Sequence, residues 1–439
     1  MFFTNCKKLE PNEPITKDGL KIFNFVTDDE MPYSPIENWV RKPDGEIWTW
    51  AKTGMYKVFD ENQNVSGFTI PYASISPGKN TFPKNYDSQS YSDFHTHNIY
   101  SVNTSGNLEH AYLDTINDES GIHPTKLYLC KNEIDKSGNI INQDSVYIHD
   151  YFRVTSPFGD VASINLTLNS FKLTKTNNAY YFAFELNYSS SNTFGYIYTD
   201  TLYLLKTDLN LNIQSLYKKS RDYNSNNDYT NPEVFDIEAT DNLVCLTYKT
   251  VRSANYYSGT ATLFFDSGLN LIKTQRADEL ITMASGDNEK AFKKILIQNN
   301  RVYLFGDVEP DYFGNSNEKK IYVSIFDLNG NFIQSKKIIT KRSYSIFRGV
   351  EPTSDGKLLV YYTESDGSAF DKLGISKIDR DGNAEFSFMF PETDDSSYDV
   401  LFSYEGNDGN IYVYGSRYFN NFIGEQTFYV KLNREGKIQ

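Results

Sequence analysis

The stretch VSIFDLNGNFIQS, residues Val323–Ser335, sets the fold of this chain because its pattern occurs seven times. An apolar, β-branched run leads into Asp-Leu-Asn-Gly-Asn, and a second strand-like run follows it. Asn, Asp and Gly provide the positive φ and the local hydrogen bonds that tight hairpin turns need. The stretch therefore predicts two antiparallel strands joined by a short turn.

The repeat has two alternating parts. The other copies of the strand–turn–strand pattern lie at 56–68, 127–142, 202–215, 262–274, 375–387 and 429–439. Stretches made of a turn and one apolar strand alternate with them, at 44–51, 106–114, 177–185, 241–249, 299–307, 355–363 and 408–416. A further short strand-like run precedes each of these, so every unit holds four strands, called A, B, C and D in chain order.

Seven four-stranded units are typical of a β-propeller, a radial arrangement that hides the edges of its sheets. We therefore expect an all-β, seven-bladed β-propeller of four-stranded blades, formed by residues 15–439 as a single domain. The leftover strand-like stretch ITKDGLKIFNFVTDD, residues 15–29, is expected to complete the last blade and close the ring. Residues 1–14 then form a tether.

Composition supports this class and excludes others. The chain has 439 residues and a formal net charge of −14, which argues against a sequence-independent nucleic-acid binder and against docking on an anionic membrane surface. Its 34 Tyr and 31 Phe suit pleated, half-buried strands. Cys6, Cys130 and Cys245 are too few for a disulfide framework. Cys130 and Cys245 lie in apolar runs and are expected to be buried thiols.

Two acidic turns resemble calcium loops at first sight, Asp379–Glu385 and Asp327–Asn331. A calcium-binding EF-hand loop needs twelve residues with a late Glu ligand. Both stretches instead occupy the C–D turn that recurs in every unit. Hairpin-turn chemistry is therefore the preferred interpretation.

The connections differ between the two ends of each unit. A–B and C–D connections are short, whereas B–C and D–A connections are long and combine aromatic residues with Asn, Ser and Gly. Rigid aromatic anchors among adaptable polar residues are the composition of binding loops. Packing of the loops onto the blades is the structural alternative. The predicted binding residues are Tyr196, Tyr198, Tyr256, Tyr257, Tyr312, Phe313, Tyr418 and Phe419.

The five histidines all fall between residues 95 and 149. DFHTHNIY places His95 and His97 on one face of a strand, near the long loops. Imidazole is a common metal ligand and general base, so this pair is the candidate metal site and the place for a polysaccharide lyase or glycoside hydrolase activity. Some loop carboxylates are candidate acids for a glycosidase, namely Asp307, Glu309, Asp311, Glu364, Asp366, Asp394 and Asp395. Solvated or hydrogen-bonded histidines are the structural alternative.

The N-terminal stretch MFFTNCKK resembles the end of a bacterial lipoprotein signal peptide, in which an apolar run precedes a lipidated cysteine. The resemblance covers residues 2–6 and implies acyl chains on Cys6. An ordinary first strand is the alternative. We expect the start codon to lie upstream of Met1. The resemblance implies a Gram-negative cell envelope, with the chain held on the outer membrane by its lipid alone and the side of that membrane left open.

These patterns favour a non-enzymatic envelope lipoprotein without a cofactor, in which the long-loop face binds an envelope protein or a glycan. Nucleic acid is not an expected partner. The alternatives are a carbohydrate-active enzyme with its site near His95 and His97, and a structural component of a larger assembly. The sequence leaves the choice between binding and catalysis open.

Overall fold

The computed structural model describes most of the predicted strands and their turns. The described residues are 15–17, 20–23, 38–41, 46–50, 55–59, 65–69, 99–103, 105–117, 124–135, 139–150, 163–192, 195–220, 233–251, 258–280, 287–310, 319–342, 344–365, 371–390, 397–418 and 425–439. Within them no helix is long and apolar enough to cross a membrane.

Among the described residues the strands follow one another in chain order, and one short helix lies between two of them. The first ten are β1 Ile15–Lys17, β2 Leu20–Phe23, β3 Asn38–Arg41, β4 Ile47–Trp50, β5 Met55–Phe59, β6 Val65–Thr69, β7 Ile99–Val102, β8 Leu108–Asn117, β9 Pro124–Ile134 and β10 Ile140–Asp150. The next eight are β11 Ser163–Lys175, β12 Ala179–Asn192, β13 Gly195–Asp208, β14 Ile213–Ser220, β15 Val234–Ala239, β16 Leu243–Val251, β17 Ser258–Asp266 and β18 Leu271–Arg276. Then come α1 Ala277–Leu280, β19 Asp287–Gln298, β20 Arg301–Pro310, β21 Lys320–Asp327, β22 Phe332–Lys337, β23 Tyr344–Pro352, β24 Leu358–Ser365, β25 Lys372–Ile378, β26 Ala384–Phe390, β27 Ser397–Glu405, β28 Ile411–Tyr418 and β29 Glu425–Leu432.

These strands form antiparallel meanders, which confirms the predicted all-β class. Four-stranded sheets are made by β3 to β6, β7 to β10, β11 to β14 and β23 to β26. Strands β15 to β18 and β19 to β22 are two further meanders, joined into one sheet by a single parallel pair between Gly259 and Lys290. The last sheet has the order β1-β2-β29-β28-β27.

Strand β2 pairs antiparallel with β29 in the last sheet. Leu20 of β2 is opposite Val430 of β29, and Phe23 is opposite Thr427. Strand β1 then pairs with the other side of β2. This sheet therefore contains five strands, two from the N-terminal stretch and three from the last repeat.

The chain divides into two compact units. Unit 1 comprises residues 1–67, 317–321 and 338–439, and unit 2 comprises residues 68–316 and 322–337. In unit 2 the A strands of successive sheets pack together, β11 against β15 and β15 against β19. Apolar clusters fill the space between neighbouring sheets, as where Tyr181 and Leu204 of one sheet meet Val244 and Leu263 of the next. Cys130 and Cys245 are buried free thiols, as predicted.

Five A strands share a β-bulge at a corresponding position. The register shifts occur between Leu168 and Ser170, Val234 and Asp236, Phe292 and Lys294, Phe347 and Gly349, and Val400 and Phe402. A bulge bends the strand and changes the direction of the side chains beyond it. In unit 2 the residue after the bulge contacts the next sheet: the Ser170 hydroxyl accepts the Val234 N–H at 2.8 Å.

Candidate functional site

The C–D turns are closed by their own side chains. In the turn Asp327–Asn331, one carboxylate oxygen of Asp327 accepts the N–H groups of Asn329 at 2.9 Å and Asn331 at 2.8 Å. The other oxygen accepts the Asn331 amide at 2.9 Å. These hydrogen bonds, chiefly the one from the Asn331 side chain, lower the pKa of Asp327. The same pattern occurs at 208–212, 266–270 and 379–383.

This geometry confirms the hairpin-turn interpretation of the two calcium-like stretches. In both turns the first Asp already accepts three hydrogen bonds from the turn itself. Among the residues that the structure describes, no group of three or more His, Cys, Asp or Glu side chains is arranged to hold a metal ion. The C–D turns are therefore structural elements of the repeat.

The structure places only part of the predicted binding face. Tyr196 and Tyr198 were expected in a loop, and this is wrong: both lie in β13, with their backbones opposite Ser191 and Ser189 of β12. Their stretch GYIYTDTLY alternates residues with high strand propensity, which extends the hairpin outward. Tyr418 is the last residue of β28, where its backbone is opposite Ser397.

The remaining predicted site residues lie outside the described part of the chain. These are Cys6, His95, His97, Tyr256, Tyr257, Tyr312, Phe313 and Phe419. Their predicted roles in lipidation, metal binding and partner binding stay predictions.

One of the five histidines has a described side chain and fits the structural alternative. His110 in β8 is fully buried, stacks on Tyr112 and lies 3.5 Å from the Asn132 amide. Burial lowers its pKa to about 3, so the imidazole is neutral at physiological pH. His110 packs inside the sheet and does not reach a surface at which substrate would bind.

A charged cluster on the A strands of unit 2 was missed by the sequence predictions. Asp236 in β15 accepts the backbone N–H of Ile295 at 2.7 Å and pairs with the Lys294 ammonium at 3.2 Å. Both contacts cross to β19, because Asp236 follows the β15 bulge and Lys294 follows the β19 bulge. The ion pair thus links two neighbouring A strands. Its basic partner keeps 38% of its side chain exposed.

Two further ionisable side chains extend this cluster toward β11. Glu238 lies on the same face of β15 as Asp236 and is 3.5 Å from the Thr174 hydroxyl. Burial raises the pKa of Glu238 to about 7. Lys172 of β11 is exposed to solvent, yet desolvation by the surrounding protein lowers its pKa, and the nearby positive charge of Lys294 lowers it further.

These side chains can carry proton-transfer chemistry, since burial raises the pKa of the Glu238 carboxyl to about 7 and Glu238 stands near other charged groups. We call Lys172, Thr174, Asp236, Glu238 and Lys294 the A-strand cluster. One signal in the sequence points to it: VFDIEA places two carboxylates two residues apart in an otherwise apolar strand, and therefore on one face.

The structure describes the side chains of two candidate acids, Glu364 and Asp307, and each has a partner within the fold. Glu364 in β24 is fully buried, and its carboxylate accepts the Lys341 N–H at 2.7 Å, which anchors the connection between β22 and β23. Burial raises its pKa to about 7. Asp307 in β20 is buried and pairs with the Lys293 ammonium at 2.8 Å. The two residues belong to different units and are not a described pair.

Comparisons with known proteins give no family. No family model matches the chain, and no curated protein matches it in sequence. Among solved structures, the polysaccharide lyase Uly1 is 8% identical, with 91% of this chain and 90% of that chain covered and a TM-score of 0.46. The WD40 β-propeller domain of Doa1 is 9% identical, with 91% and 94% covered and a TM-score of 0.39.

A third solved structure, a protein of unknown function from Dyadobacter fermentans, is 10% identical, with 98% of this chain and 99% of that chain covered and a TM-score of 0.40. Scores of this size assign neither a family nor an activity to this chain.

Proposed function

We propose that this chain is a non-enzymatic binding protein of the cell envelope, built as a seven-bladed β-propeller closed by its N-terminal strand. The end of the sheets that carries the B–C and D–A connections binds an envelope protein. The chain then acts as an accessory or scaffold subunit of that partner.

The observation that carries this proposal is the difference between the two ends of the sheets. At the C–D end the turns satisfy their own polar groups, as Asp327 does with Asn329 and Asn331. Long connections such as 151–162, 221–233 and 311–319 leave the other end. Loops on a rigid strand scaffold are where binding residues concentrate, and these loops are rich in Tyr, Phe, Asn and Ser.

Affinity capture of the tagged chain from its own solubilised envelope tests the proposal. The wild-type chain is expected to retain a stoichiometric protein, identified by mass spectrometry. A variant with Tyr256, Tyr257, Tyr418 and Phe419 changed to Ser should retain about a tenth of it or less, because buried aromatic anchors dominate interface energies. Tyr147→Ser, at an aromatic residue of β10 that is 40% exposed, is the matched control.

Retention of the partner by the folded four-residue variant would contradict the proposed binding end. Capture of an envelope polysaccharide without any protein would assign that end to a glycan.

The envelope location is proposed from the lipoprotein-like residues 2–6. The mature chain is expected to carry acyl chains on Cys6, visible as a mass increase of its N-terminal peptide. Cys6→Ser cannot be acylated, so its N-terminal peptide should lack this mass increase, and a larger share of the chain should appear in the soluble fraction of cells. An unmodified Cys6 in the membrane-associated chain contradicts the anchor and leaves the proposed binding end untouched.

A carbohydrate-active enzyme is the second candidate, and Glu238 is the observation that favours it. A carboxyl that keeps its proton near neutral pH is what a general acid requires. The test is release of reducing ends or unsaturated products from acidic and neutral polysaccharides. Activity that falls about a hundredfold in Glu238→Gln, and persists in Glu364→Gln, supports this function. Activity that survives Glu238→Gln contradicts the assigned role.

A further inference from the structure

Exposed apolar side chains are concentrated on the D strands of unit 2. Three consecutive meanders carry them just after the first Asp of the C–D turn or at the start of the D strand, among them Leu209 and Ile213, Leu271 and Ile272, and Phe332 and Ile333. Strand β10 of the preceding meander carries two more, Ile141 and Tyr147. Ile272 is 52% exposed and Ile333 is 45% exposed. We call segments 208–220, 266–276 and 327–337 the D-strand belt.

Lysine ammonium groups lie against the turns of the belt in a repeating way. Lys131 donates to the Leu209 carbonyl at 3.4 Å, Lys206 donates to the Ser267 carbonyl at 2.8 Å, and Lys273 donates to the Gly330 carbonyl at 3.1 Å. In each case the lysine belongs to the preceding meander. Lys131 also lies 3.9 Å from the Glu109 carboxylate, so the positive charge of the belt comes chiefly from the Lys and Arg residues of its own strands.

The charge of the belt differs from that of the whole chain. Strands β14, β18 and β22 contain Lys or Arg and no Asp or Glu, although acids outnumber bases in the sequence. Even with the turn aspartates included, each belt segment has one more basic than acidic residue. The corresponding segment of unit 1, 379–390, has more acidic than basic residues and no exposed large apolar side chain among its described residues.

We propose that the D-strand belt of unit 2 binds the surface of an anionic lipid bilayer. Its aliphatic and Phe side chains enter the interface, and its lysines face lipid phosphates. This contact is made by the folded strands and is independent of any acyl chain on Cys6. Apolar burial combined with basic charge is the usual source of reversible binding to anionic membranes.

Composition favours lipid over a protein partner. Protein interfaces are depleted in Lys and draw their energy from Trp, Tyr and Arg in recessed pockets. The exposed apolar residues of the belt are Ile, Leu and Phe, interspersed with Lys. Ile213, Leu271 and Phe332 occupy the same place relative to the first Asp of their turns, and so do Ile272 and Ile333. A Lys residue on an edge strand also opposes strand addition by another chain.

Vesicle sedimentation with the unacylated Cys6→Ser chain tests the proposal. The chain should sediment with vesicles of phosphatidylethanolamine containing about a quarter phosphatidylglycerol, and bind pure phosphatidylcholine vesicles more weakly. Ile272→Ser combined with Ile333→Ser should lower the partition coefficient about tenfold or more. The matched control is Ile339→Ser, outside the belt at a residue that is 64% exposed, and it should change binding less than about twofold.

A second variant separates charge from apolar burial. Lys218→Glu with Lys337→Glu should abolish the preference for phosphatidylglycerol, and so should raised salt in the wild-type chain. Circular dichroism checks that each variant is folded. Equal binding by the double isoleucine variant and the control overturns the proposal, as does absence of wild-type binding to either vesicle. A belt that instead mediates dimerisation, seen as a dimer converted to monomer by the double isoleucine variant, also overturns it.

Discussion

Four C–D turns have the same hydrogen bonds but differ in the residue that adopts a left-handed backbone conformation. In the turns 327–331 and 379–383 this residue is glycine, with φ of 75° at Gly330 and 78° at Gly382. In the turns 208–212 and 266–270 it is leucine, with φ of 63° at Leu211 and 65° at Leu269. A left-handed conformation costs a leucine about 1–2 kcal/mol.

Burial explains why leucine is tolerated there. Leu211 and Leu269 are 1% and 6% exposed, and each joins an apolar cluster between sheets. Burying a leucine side chain contributes about 1.5–3 kcal/mol, which offsets the backbone strain. In the glycine turn that space is already filled, since a Cβ at Gly330 would lie 3.2 Å from the Phe264 ring. One turn geometry is therefore stabilised in two ways, by a side-chain anchor or by a strain-free backbone.

Leu211→Ala should show the largest effect. Alanine keeps the strained φ and loses the buried side chain, so the free energy of unfolding should fall by about 3 kcal/mol. Urea titrations followed by tryptophan fluorescence and circular dichroism measure this change. Leu209→Ala, at the exposed neighbour in the same turn, is the control and should be nearly neutral. Equal effects at the two positions would remove burial as the reason for leucine in this turn.

Gly330→Ala tests whether the glycine turn requires glycine at its positive-φ position. A Cβ at positive φ and close to the Phe264 ring should lower the free energy of unfolding by about 1–2 kcal/mol. Gly268 lies in the leucine turn 266–270 and does not have a positive φ. Gly268→Ala should therefore lower the free energy of unfolding less than Gly330→Ala does. The same urea titrations measure both variants. A larger loss for Gly268→Ala would show that crowding, and not φ, decides the residue choice.

The turns also show how far the sequence predicts this molecule. The repeat predicts the C–D turns and most strands, because Asp, Asn and Gly act through local hydrogen bonds and φ. It does not predict the left-handed leucines, because the compensating burial comes from residues far away in the chain. The five A-strand bulges have no common chemistry either. Their bulged residues are Asn169, Phe235, Lys293, Arg348 and Leu401.

The same limit applies to the candidate site. The A-strand cluster joins residues from three A strands, and its Asp236–Lys294 pair depends on two bulges that no local pattern signals. The hairpin β12–β13 is also longer than the sequence predicts. Ser189, Ser190, Ser191 and Asn192 have turn-like preferences, but they lie in β12 because their pairing with β13 outweighs those preferences.

The difference in free energy of unfolding between Leu211→Gly and Leu211→Ala measures the backbone strain at this turn. Glycine elsewhere in a strand or helix is less stable than alanine by about 0.5–1 kcal/mol. At Leu211 the order should reverse, with the glycine variant more stable than the alanine variant by about 1 kcal/mol, because glycine removes the left-handed strain. Both variants lose the same buried side chain, so the difference isolates the backbone. The usual order, with alanine more stable, would mean that φ at this turn relaxes once the leucine is removed.

The smallest expected effect is on the pH dependence of stability. It comes from the carboxylate of the first Asp, which both kinds of turn share. Hydrogen bonds, first that from Asn331, lower the pKa of Asp327 in the glycine turn, and those from Asn212 and Asn210 lower the pKa of Asp208 in the leucine turn. A lowered folded-state pKa gives stability that is present above the ordinary Asp pKa and is lost as pH falls through the folded-state value. Both carboxylates are exposed, so solvent screening keeps the effect small.

Asp327→Asn tests this shared term, since the amide oxygen still accepts the two backbone N–H groups and carries no charge to titrate. Its free energy of unfolding should be within about 1 kcal/mol of wild type at neutral pH and should fall less steeply below pH ~4. Asp208→Asn should flatten the acid limb in the same direction. An acid limb that flattens in only one of the two variants would show that the leucine anchor and the carboxylate are coupled, and that the two turns differ in more than their strained residue.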